Sequence, residues 1–446
     1  MINALLNNKT TVEDLKNILN NNWRNGYTIP SARLYPFQWN WDAGFIAIAL
    51  SYIDSDRAME EVSSMFKAQW KNGMLPHIAF HQLNDNYFPG PEVWKTDQLQ
   101  FSSQEVSSTG ITQPPVFGFV LLRMHSMMQS NPKWNAFLLD IFPKVLAFHR
   151  YLYTHRDPNN EGLVYIQHNW ESGTDNSPLW DHIFDSMDVS TARDVSHLRK
   201  DNKLVDESER PTNENYKRYI NLIDRFVACD YDDSIIAQTS PFLVQDVLFN
   251  SMLVKSNYGL IELGKYLNQD ISEIESWNTK TIESINAKFW SPATGFYYAY
   301  DLRANKSIPI KVSSGFMPLF AGICSSDQAN SLVSHLTTSF AKNENWYLCA
   351  SCAFDEPAFN PLKYWRGPVW INVNWMLYHG LERYGFIDLA DRVKKDSMKL
   401  IENEGSFEYF DPRPNGEAQE KRGIGADLFS WSAALYLDFI YNPSIC

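Results

Sequence analysis

The sequence predicts a mainly α-helical protein in which antiparallel helix pairs form a closed ring. Amphipathic or wholly apolar runs at helical spacing follow one another in consecutive pairs along the chain. Strand patterns are sparse, and no proline-, glycine- or serine-rich linker divides the sequence. A ring of pairs explains how a chain of 446 residues buries its apolar side chains in one domain, which we expect to span residues 1–446.

The first helix is predicted by a capping-box pattern at Thr11 and Asp14 and by apolar residues at helical spacing, namely Val12, Leu15, Ile18, Leu19 and Trp23. Further helices are predicted over residues 42–54, 55–70, 114–129, 134–154, 244–267, 271–290, 326–338, 369–384, 386–404 and 427–441. One alternating stretch, residues 295–300, predicts a β-hairpin.

Four long polar connections separate these helices, at residues 84–113, 156–216, 340–368 and 405–426. Each holds tryptophan or tyrosine beside a carboxylate, an amide or an arginine. Ordered loops longer than about 15 residues in a compact domain are usually functional. We therefore expect the four connections to form one rim of the ring and to converge on a pocket.

Composition and charge exclude several classes of partner. Hydrophobic residues make up 44% of the chain, but no run of about 18 apolar residues exists that would span a membrane. A net charge of −13 argues against nucleic acid, whose phosphates require a basic surface. The 15 tryptophans and 22 tyrosines exceed what an ordinary core needs, and flat aromatic rings suit the apolar faces of pyranose sugars.

The chain start, residues 1–9, lacks the features of a signal peptide. Five cysteines, at positions 229, 324, 349, 352 and 446, form an odd set without disulfide-scaffold spacing, so we expect a cytoplasmic protein. The CxxC pair has no second half, and His77 and His81 lack the glutamate of the HExxH pattern. We expect neither metal nor cofactor, and the sequence leaves open whether the chain forms a homo-oligomer.

Chemistry is concentrated in the stretch 168–181, where acids, amides and two tryptophans surround Gly173. Hydrolysis of a glycosidic bond needs two carboxyl groups, one protonated and one acting as base or nucleophile. Asp175 is the candidate acid, and Glu408, among aromatic residues in the stretch 405–412, is the candidate base. A loop carboxylate is more often solvated or caps a helix, so composition alone leaves both assignments open.

Two further aromatic clusters run from a loop into a helix. In residues 35–42 we interpret Trp39 and Trp41 as the floor of a pocket and Asp42 as a ligand of sugar hydroxyls, or else as two core tryptophans and an N-cap. In residues 364–370, Arg366 is either a buried ion-pair partner or a ligand contact.

Five motifs together resemble glycoside hydrolase family 63: QWNWDAGF (38–45), LPHIAFH (75–81), WESGTDNSP (170–178), YWRGPVWINVNW (364–375), and FEYFDP (407–412) with the later FSWSAAL (429–435). This family shares an (α/α)6 toroid with trehalases and glucoamylases. The resemblance runs in order over nearly the whole chain. The compact length, without an added β-domain, is similar to that of the bacterial and plant mannosylglycerate and glucosylglycerate hydrolases.

The resemblance implies a role for each matching position. Asp175 corresponds to the general acid and Glu408 to the general base. The glycosyl pocket is implied at Tyr35, Trp39, Trp41, Asp42, Gln113, Tyr364, Trp365 and Trp370. Contacts to the glycerate leaving group are implied at Tyr87, Trp170, Arg210, Tyr216 and Tyr364. Because the chain is acidic, Arg210 would supply the fixed cation that a carboxylate requires, although alone it would be interpreted as a solvated charge.

The resemblance thus implies an inverting hydrolase that converts 2-O-mannosylglycerate or 2-O-glucosylglycerate to hexose and glycerate. Two alternatives stay open: an α-glucosidase or trehalase acting on neutral oligosaccharides, and a sugar-binding protein without activity. The sequence does not separate the mannosyl from the glucosyl substrate.

Overall fold

The computed structural model describes residues 9–418 and 422–441. The predictions made on residues 1–8 of the chain start and on Cys446 therefore lie outside the described residues. In the described part of the chain, every helix is too short or too polar to cross a membrane.

The α-helices of the described residues follow one another as α1 (Val12–Asn22), α2 (Asn40–Ile53), α3 (Ser55–Phe66), α4 (Pro91–Trp94), α5 (Phe117–Met128), α6 (Trp134–His155), α7 (Asp181–Ser186), α8 (Asn213–Ala228), α9 (Asp233–Thr239), α10 (Val247–Tyr266), α11 (Ser272–Lys288), α12 (Met317–Ala321), α13 (Ser326–Thr338), α14 (Ile371–Arg383), α15 (Ile387–Glu404) and α16 (Ser430–Tyr441). The predicted capping box at Thr11 and Asp14 is present and begins α1.

Six helices form an inner ring. Helices α2, α5, α10, α12, α14 and α16 pack side by side in that order, and α16 closes the ring against α2. The outer helices α3, α6, α11, α13 and α15 each follow an inner helix in the chain, and α1 packs against α16. This is the (α/α)6 toroid, so the predicted fold class is confirmed.

Burial explains why the two rings differ in sequence. Inner helix α2 is buried on all sides from Asn40 to Leu50, as expected for a helix that is apolar all round. Outer helix α15 buries one stripe at a spacing of three to four residues, formed by Ala390, Val393, Ser397, Leu400 and Ile401. An apolar run on all sides therefore indicates a helix of the inner ring, and a one-sided apolar stripe indicates a helix of the outer ring.

Several helices were missed by the sequence interpretation. Helix α12 has only five residues, too few to show a period, yet it completes the inner ring after a 3-10 turn at Ser313–Phe316. Helix α8 was not predicted, and it begins at a capping box formed by Thr212 and Asn215. The connection predicted at residues 156–216 therefore extends a few residues into this helix. The short helix α9 follows α8, and the short helices α4 and α7 lie within the predicted connections, where the sequence assigned no element.

The strands of the described residues are short: β1 (Gln38–Trp39), β2 (Ile78–Phe80), β3 (Ser107–Ser108), β4 (Val244–Gln245), β5 (Trp290–Ser291), β6 (Phe296–Tyr297), β7 (Tyr300–Asp301), β8 (Lys306–Ser307), β9 (Tyr409–Phe410) and β10 (Gly423–Ile424). The prediction of a hairpin within residues 295–300 is wrong, because β6 and β7 do not pair with each other: β6 pairs with β5, and β7 pairs with β8. His77 and His81 flank β2, so they do not share a helical face.

The β1–β2 pairing and the β9–β10 pairing both lie at the rim of the toroid, next to its cavity. Trp39 pairs with Ile78, and Tyr409 pairs with Ile424. All four long connections identified in the sequence contribute residues to this one cavity. The prediction that they converge is therefore confirmed.

Candidate active site

One cavity opens at the rim of the toroid and contains every site residue predicted from the sequence. The space inside it, together with the open solvent at its mouth, is about 790 Å³. The predicted residues lining it are Tyr35, Trp39, Trp41, Asp42, Tyr87, Gln113, Trp170, Asp175, Arg210, Tyr216, Tyr364, Trp365, Trp370 and Glu408. The structure thus brings together residues from the whole length of the chain, and the role of each stays a prediction.

Glu408 is held rigidly beside the β9–β10 pairing. Its backbone N–H donates to the Ala426 carbonyl at 2.8 Å, and the Ala426 N–H donates to its Oε2 at 3.1 Å. The Tyr35 hydroxyl donates to its Oε1 at 2.7 Å. Burial raises the pKa of Glu408, and the nearby Arg210 guanidinium and these donors lower it in part, so that it stays above the usual value of 4.5.

Asp175 lies in a tight loop that borders the same cavity. The Asn169 side chain donates to its backbone carbonyl at 2.8 Å, and the Tyr364 hydroxyl donates to its Oδ2 at 3.4 Å. Burial, with the Glu408 charge adding to it, raises the pKa of Asp175 to about 7, although Arg210 acts in the opposite direction. A carboxyl group with this pKa still carries a proton near neutral pH.

Gly173 makes the bend of this loop. Its φ of +73° lies in the left-handed region, and a Cβ placed there would lie 2.5 Å from the Trp41 ring. Both features require glycine. The loop therefore packs directly on the tryptophan floor, and this contact sets the position of Asp175.

We expect Gly173→Ala to reduce kcat by about 10- to 100-fold, because displacing the loop displaces the Asp175 carboxyl group. Gly385→Ala is a matched control, since Gly385 has a similar φ of +79° but no atom within 4 Å of the added Cβ. Both variants should lose about 1–2 kcal/mol of stability from backbone strain. An unchanged kcat in Gly173→Ala would show that this contact does not position Asp175.

Two tyrosine hydroxyls connect the carboxyl groups across the cavity. The Tyr364 hydroxyl lies 3.4 Å from Asp175 Oδ2 and 3.4 Å from the Tyr35 hydroxyl, which lies 2.7 Å from Glu408 Oε1. The two carboxyl oxygens are thus no farther apart than the combined length of these three contacts. A separation below this limit is compatible with the roughly 6.5–9.5 Å of inverting glycosidases and equally with the roughly 5–5.5 Å of retaining ones, so the stereochemistry is left to experiment.

Aromatic rings form the floor and walls. Trp365 and Trp370 stack with centroids 3.7 Å apart, and Trp41 lies 6.4 Å from Trp365. Tyr87 meets Trp39 edge to face at 5.4 Å. Such rings offer flat apolar faces, and their packing keeps them rigid.

Gln113 and Asp42 carry polar groups within this aromatic floor. The Gln113 side-chain oxygen accepts a hydrogen bond from the backbone N–H of Trp41 at 3.1 Å, and this bond orients the Gln113 amide. Asp42 lies in the first turn of α2 rather than at its N-cap, and its carboxylate borders the cavity. The alternative interpretation of Asp42 as an N-cap is therefore wrong.

Arg210 lines the cavity, as do Trp170, Tyr87 and Tyr216. Its guanidinium is 4.3 Å from the Tyr364 ring centroid, and its Nη1 is 3.6 Å from Glu408 Oε1. The side chain is buried rather than solvated, so the interpretation of Arg210 as a solvated charge is wrong. A buried cation beside two aromatic rings suits a carboxylate ligand.

Several charged residues brace these loops instead of facing a ligand. Glu171 accepts two hydrogen bonds from Arg156, at 3.0 and 3.1 Å, within the protein core. Arg366 forms a two-pronged ion pair with Asp181. Of the two roles left open for Arg366, the structure thus favours the ion-pair partner.

The sequence interpretation missed four polar residues of the cavity, namely His77, Asn86, Lys200 and Asp201. His77 lies 6.3 Å from the Trp170 ring, and burial lowers its pKa to about 3. Asp201, on the 3-10 turn Asp201–Lys203, also lines the cavity. No sequence motif marks Asp201, because it belongs to a charged stretch of the kind found in many solvated loops. Among the described residues, no group of three metal-binding side chains is assembled.

Comparison with known proteins identifies the family of this cavity. The family described as "Mannosylglycerate hydrolase MGH1-like glycoside hydrolase domain" matches residues 35–432, which include every predicted site residue. The chain belongs to this family. It is therefore a glycoside hydrolase, and the resemblance to family 63 is confirmed.

Individual relatives in the family match over almost their full length. A mannosylglycerate hydrolase from Rubrobacter radiotolerans is 39% identical over 96% of this chain and 97% of its own. A glucosylglycerate hydrolase from Mycolicibacterium hassiacum is 31% identical over 93% and 94%. The crystal structure of the family 63 mannosylglycerate hydrolase from Thermus thermophilus with Tris and D-glycerate superposes with a TM-score of 0.88, at 41% identity over 95% of this chain and 98% of that one.

Proposed function

We propose that this hydrolase cleaves the α-glycosidic bond of a hexosylglycerate, releasing hexose and glycerate with inversion at the anomeric carbon. The observation that carries the proposal is the arrangement of three groups in one cavity. Asp175 and Glu408 border the same cavity, with the hydroxyls of Tyr364 and Tyr35 between them, and the buried Arg210 guanidinium lies 3.6 Å from Glu408 Oε1. The D-glycerate bound to the T. thermophilus relative supports the proposal, since it is an organic acid.

In the proposed reaction, protonated Asp175 donates its proton to the glycosidic oxygen as the C1–O bond breaks. Glu408 accepts a proton from the water whose oxygen bonds to C1 on the opposite face. Inversion follows because the water and the leaving group occupy opposite faces of the sugar. Tyr35 orients the Glu408 carboxylate through its hydrogen bond.

Arg210 accounts for the preference for a charged leaving group. An arginine binds a carboxylate through two parallel hydrogen bonds, and neutral disaccharides offer no such group. We propose that Tyr87, Trp170, Tyr216 and Tyr364 complete this leaving-group end of the cavity. The aromatic floor with Asp42 and Gln113 then holds the hexose.

The experiment that tests the proposal compares turnover of 2-O-mannosylglycerate, 2-O-glucosylglycerate, trehalose and maltose under the same conditions. We expect kcat/KM for at least one hexosylglycerate to exceed that for both disaccharides by about 100-fold or more. NMR of the first product should show the β-hexose from the α-linked substrate. Preferential hydrolysis of a disaccharide would favour the α-glucosidase or trehalase alternative, and an α-hexose product would exclude inversion.

A pH profile tests the assignment of the proton donor. Asp175 must be protonated to act, and its pKa is about 7, so kcat/KM should fall about tenfold per pH unit above that value. On the acid side, kcat/KM should fall as the pH drops through the pKa of Glu408, which must be ionised to act as the base. This fall should lie above pH 4.5, because the pKa of Glu408 is raised above that usual value. A kcat/KM that is level between pH 7 and pH 9 would be incompatible with Asp175 as the donor.

The odd number of cysteines leads us to propose a cytoplasmic location. In the described part of the chain, Cys229, Cys324, Cys349 and Cys352 are free thiols, which suits a reducing compartment.

A further inference from the structure

Asp201 forms a buried hydrogen-bond network at the leaving-group end of the cavity. Its Oδ2 accepts hydrogen bonds from Arg199 Nη2 at 2.8 Å, Arg210 Nε at 3.3 Å and the Tyr216 hydroxyl at 3.3 Å. Its Oδ1 accepts a hydrogen bond from Arg199 Nε at 3.1 Å. One carboxylate thus contacts both residues to which the resemblance assigns the grip on glycerate, Arg210 and Tyr216.

The contact with Asp201 uses one edge of the Arg210 guanidinium and leaves another edge available. Arg210 Nη1 is buried and forms no hydrogen bond with any described residue, although Glu408 Oε1 lies 3.6 Å away. A buried donor without a partner is costly, so such groups mark places where a ligand or water is expected. Asp201 therefore holds Arg210 so that Nη1 stays available on the side of Glu408.

Charge balance gives Asp201 a second effect. Arg199 is fully buried, donates to the Asn213 side chain at 2.8 Å and lies 3.9 Å from the Tyr216 ring centroid. Without Asp201, the buried guanidinium groups of Arg199 and Arg210 would lose the carboxylate to which both donate. Burial raises the pKa of Asp201, but Arg210 and Arg199 outweigh burial and keep it below its usual value. The carboxylate is therefore charged and offsets one of the two cations.

We propose that Asp201 is a positioning residue for substrate recognition, which holds Arg210 and Tyr216 in place so that Arg210 Nη1 stays available for the carboxylate of the leaving group. This inference rests on the proposed function. The sequence around Asp201 offered no sign of the role, which follows from its contacts with residues 9 and 15 positions later in the chain.

The same contacts allow an opposite interpretation, in which Asp201 occupies donors that the substrate needs. In that case, removing its charge would strengthen the binding of glycerate. The two interpretations predict changes of opposite sign, so a single variant distinguishes them.

Asp201→Asn tests the proposal, because asparagine keeps the size of the side chain and loses its charge. Calorimetry should show D-glycerate binding about tenfold more weakly, as expected for loss of a charged hydrogen-bond network, whereas mannose and glucose should bind as in the wild type. The KM for hexosylglycerate should rise by a similar factor with kcat within about threefold. Asp201→Glu, which restores the charge, should recover part of the affinity for D-glycerate.

Asp206→Asn is the control, since Asp206 is an exposed residue of the same connection and caps the 3-10 turn Glu207–Glu209. It should leave both affinities unchanged. Tighter or unchanged D-glycerate binding in Asp201→Asn, or equal weakening of hexose and D-glycerate, would overturn the proposal. Failure of the proposed function is distinguishable, because the wild type itself would then not hydrolyse hexosylglycerates.

Discussion

Glu408→Gln is expected to lower kcat for a hexosylglycerate by about 10²- to 10⁴-fold, the range typical for loss of a general base. Glutamine has nearly the same shape, and its one carbonyl oxygen can still accept either the hydrogen bond from Tyr35 or the one from the Ala426 N–H, but it cannot take a proton from water. The variant should therefore retain the shape of the cavity but lose the group that takes the proton from the attacking water. Steady-state kinetics with the natural substrate measures the loss, and circular dichroism checks that the fold is retained.

A second substrate separates loss of the base from loss of the acid. An α-hexosyl fluoride has a leaving group that needs no protonation, but it still needs an activated water. Glu408→Gln should therefore be slow on the fluoride as well. Glu209→Gln is the control, because Glu209 is half-buried near Glu408 but does not line the cavity. If Glu408→Gln retained ordinary turnover, another group would have to be the base.

Asp175→Asn is expected to lower kcat for a hexosylglycerate by a similar factor of about 10²–10⁴, because asparagine has no proton to give to the glycosidic oxygen. On the hexosyl fluoride, however, its rate should remain within about tenfold of the wild-type rate. On the fluoride, neither the wild type nor Asp175→Asn should show the alkaline limb that the wild type shows on a hexosylglycerate, since that limb reports the ionisation of Asp175 as proton donor.

Asp188→Asn is the control for this variant, because Asp188 is an exposed aspartate in the same connection and accepts a hydrogen bond only from its local turn at Ser190. It should behave as the wild type on both substrates. If Asp175→Asn lost the same activity on the fluoride as on the hexosylglycerate, its role would be to hold the sugar or the loop rather than to supply a proton.

The sequence predicted the toroid because its main elements carry local signals. The apolar run of α2 and the one-sided stripe of α15 can be recognised from periodicity, since each helix must match its own surroundings. Helix α12 shows the limit of that approach. Five residues do not establish a period, so the neighbours on either side in the ring, rather than local sequence, decide that this segment is helical.

The candidate acid and base can be identified from sequence because each lies in a compact motif. The GTDNSP segment holds Asp175 after the glycine bend, and the FEYFDP segment holds Glu408 beside a short strand. Local sequence does not indicate, however, how the two motifs are placed relative to each other in the folded protein. Their approach depends on Tyr364 and Tyr35, which contribute the hydroxyls between the carboxyl groups.

By itself, the sequence determined the ring of helix pairs and the four long connections, because periodicity is a local property of the chain, and the resemblance of its motifs to a family selected Asp175 and Glu408 as the candidate acid and base. Only the tertiary structure decided the partners of each charge. It paired Arg366 with Asp181, brought Arg210 beside Glu408 and placed Asp201 behind Arg210. These pairings depend on how loops from distant segments pack on one rim, and the electrostatic energy of each group depends on its burial and neighbours, which spacing along the chain does not specify.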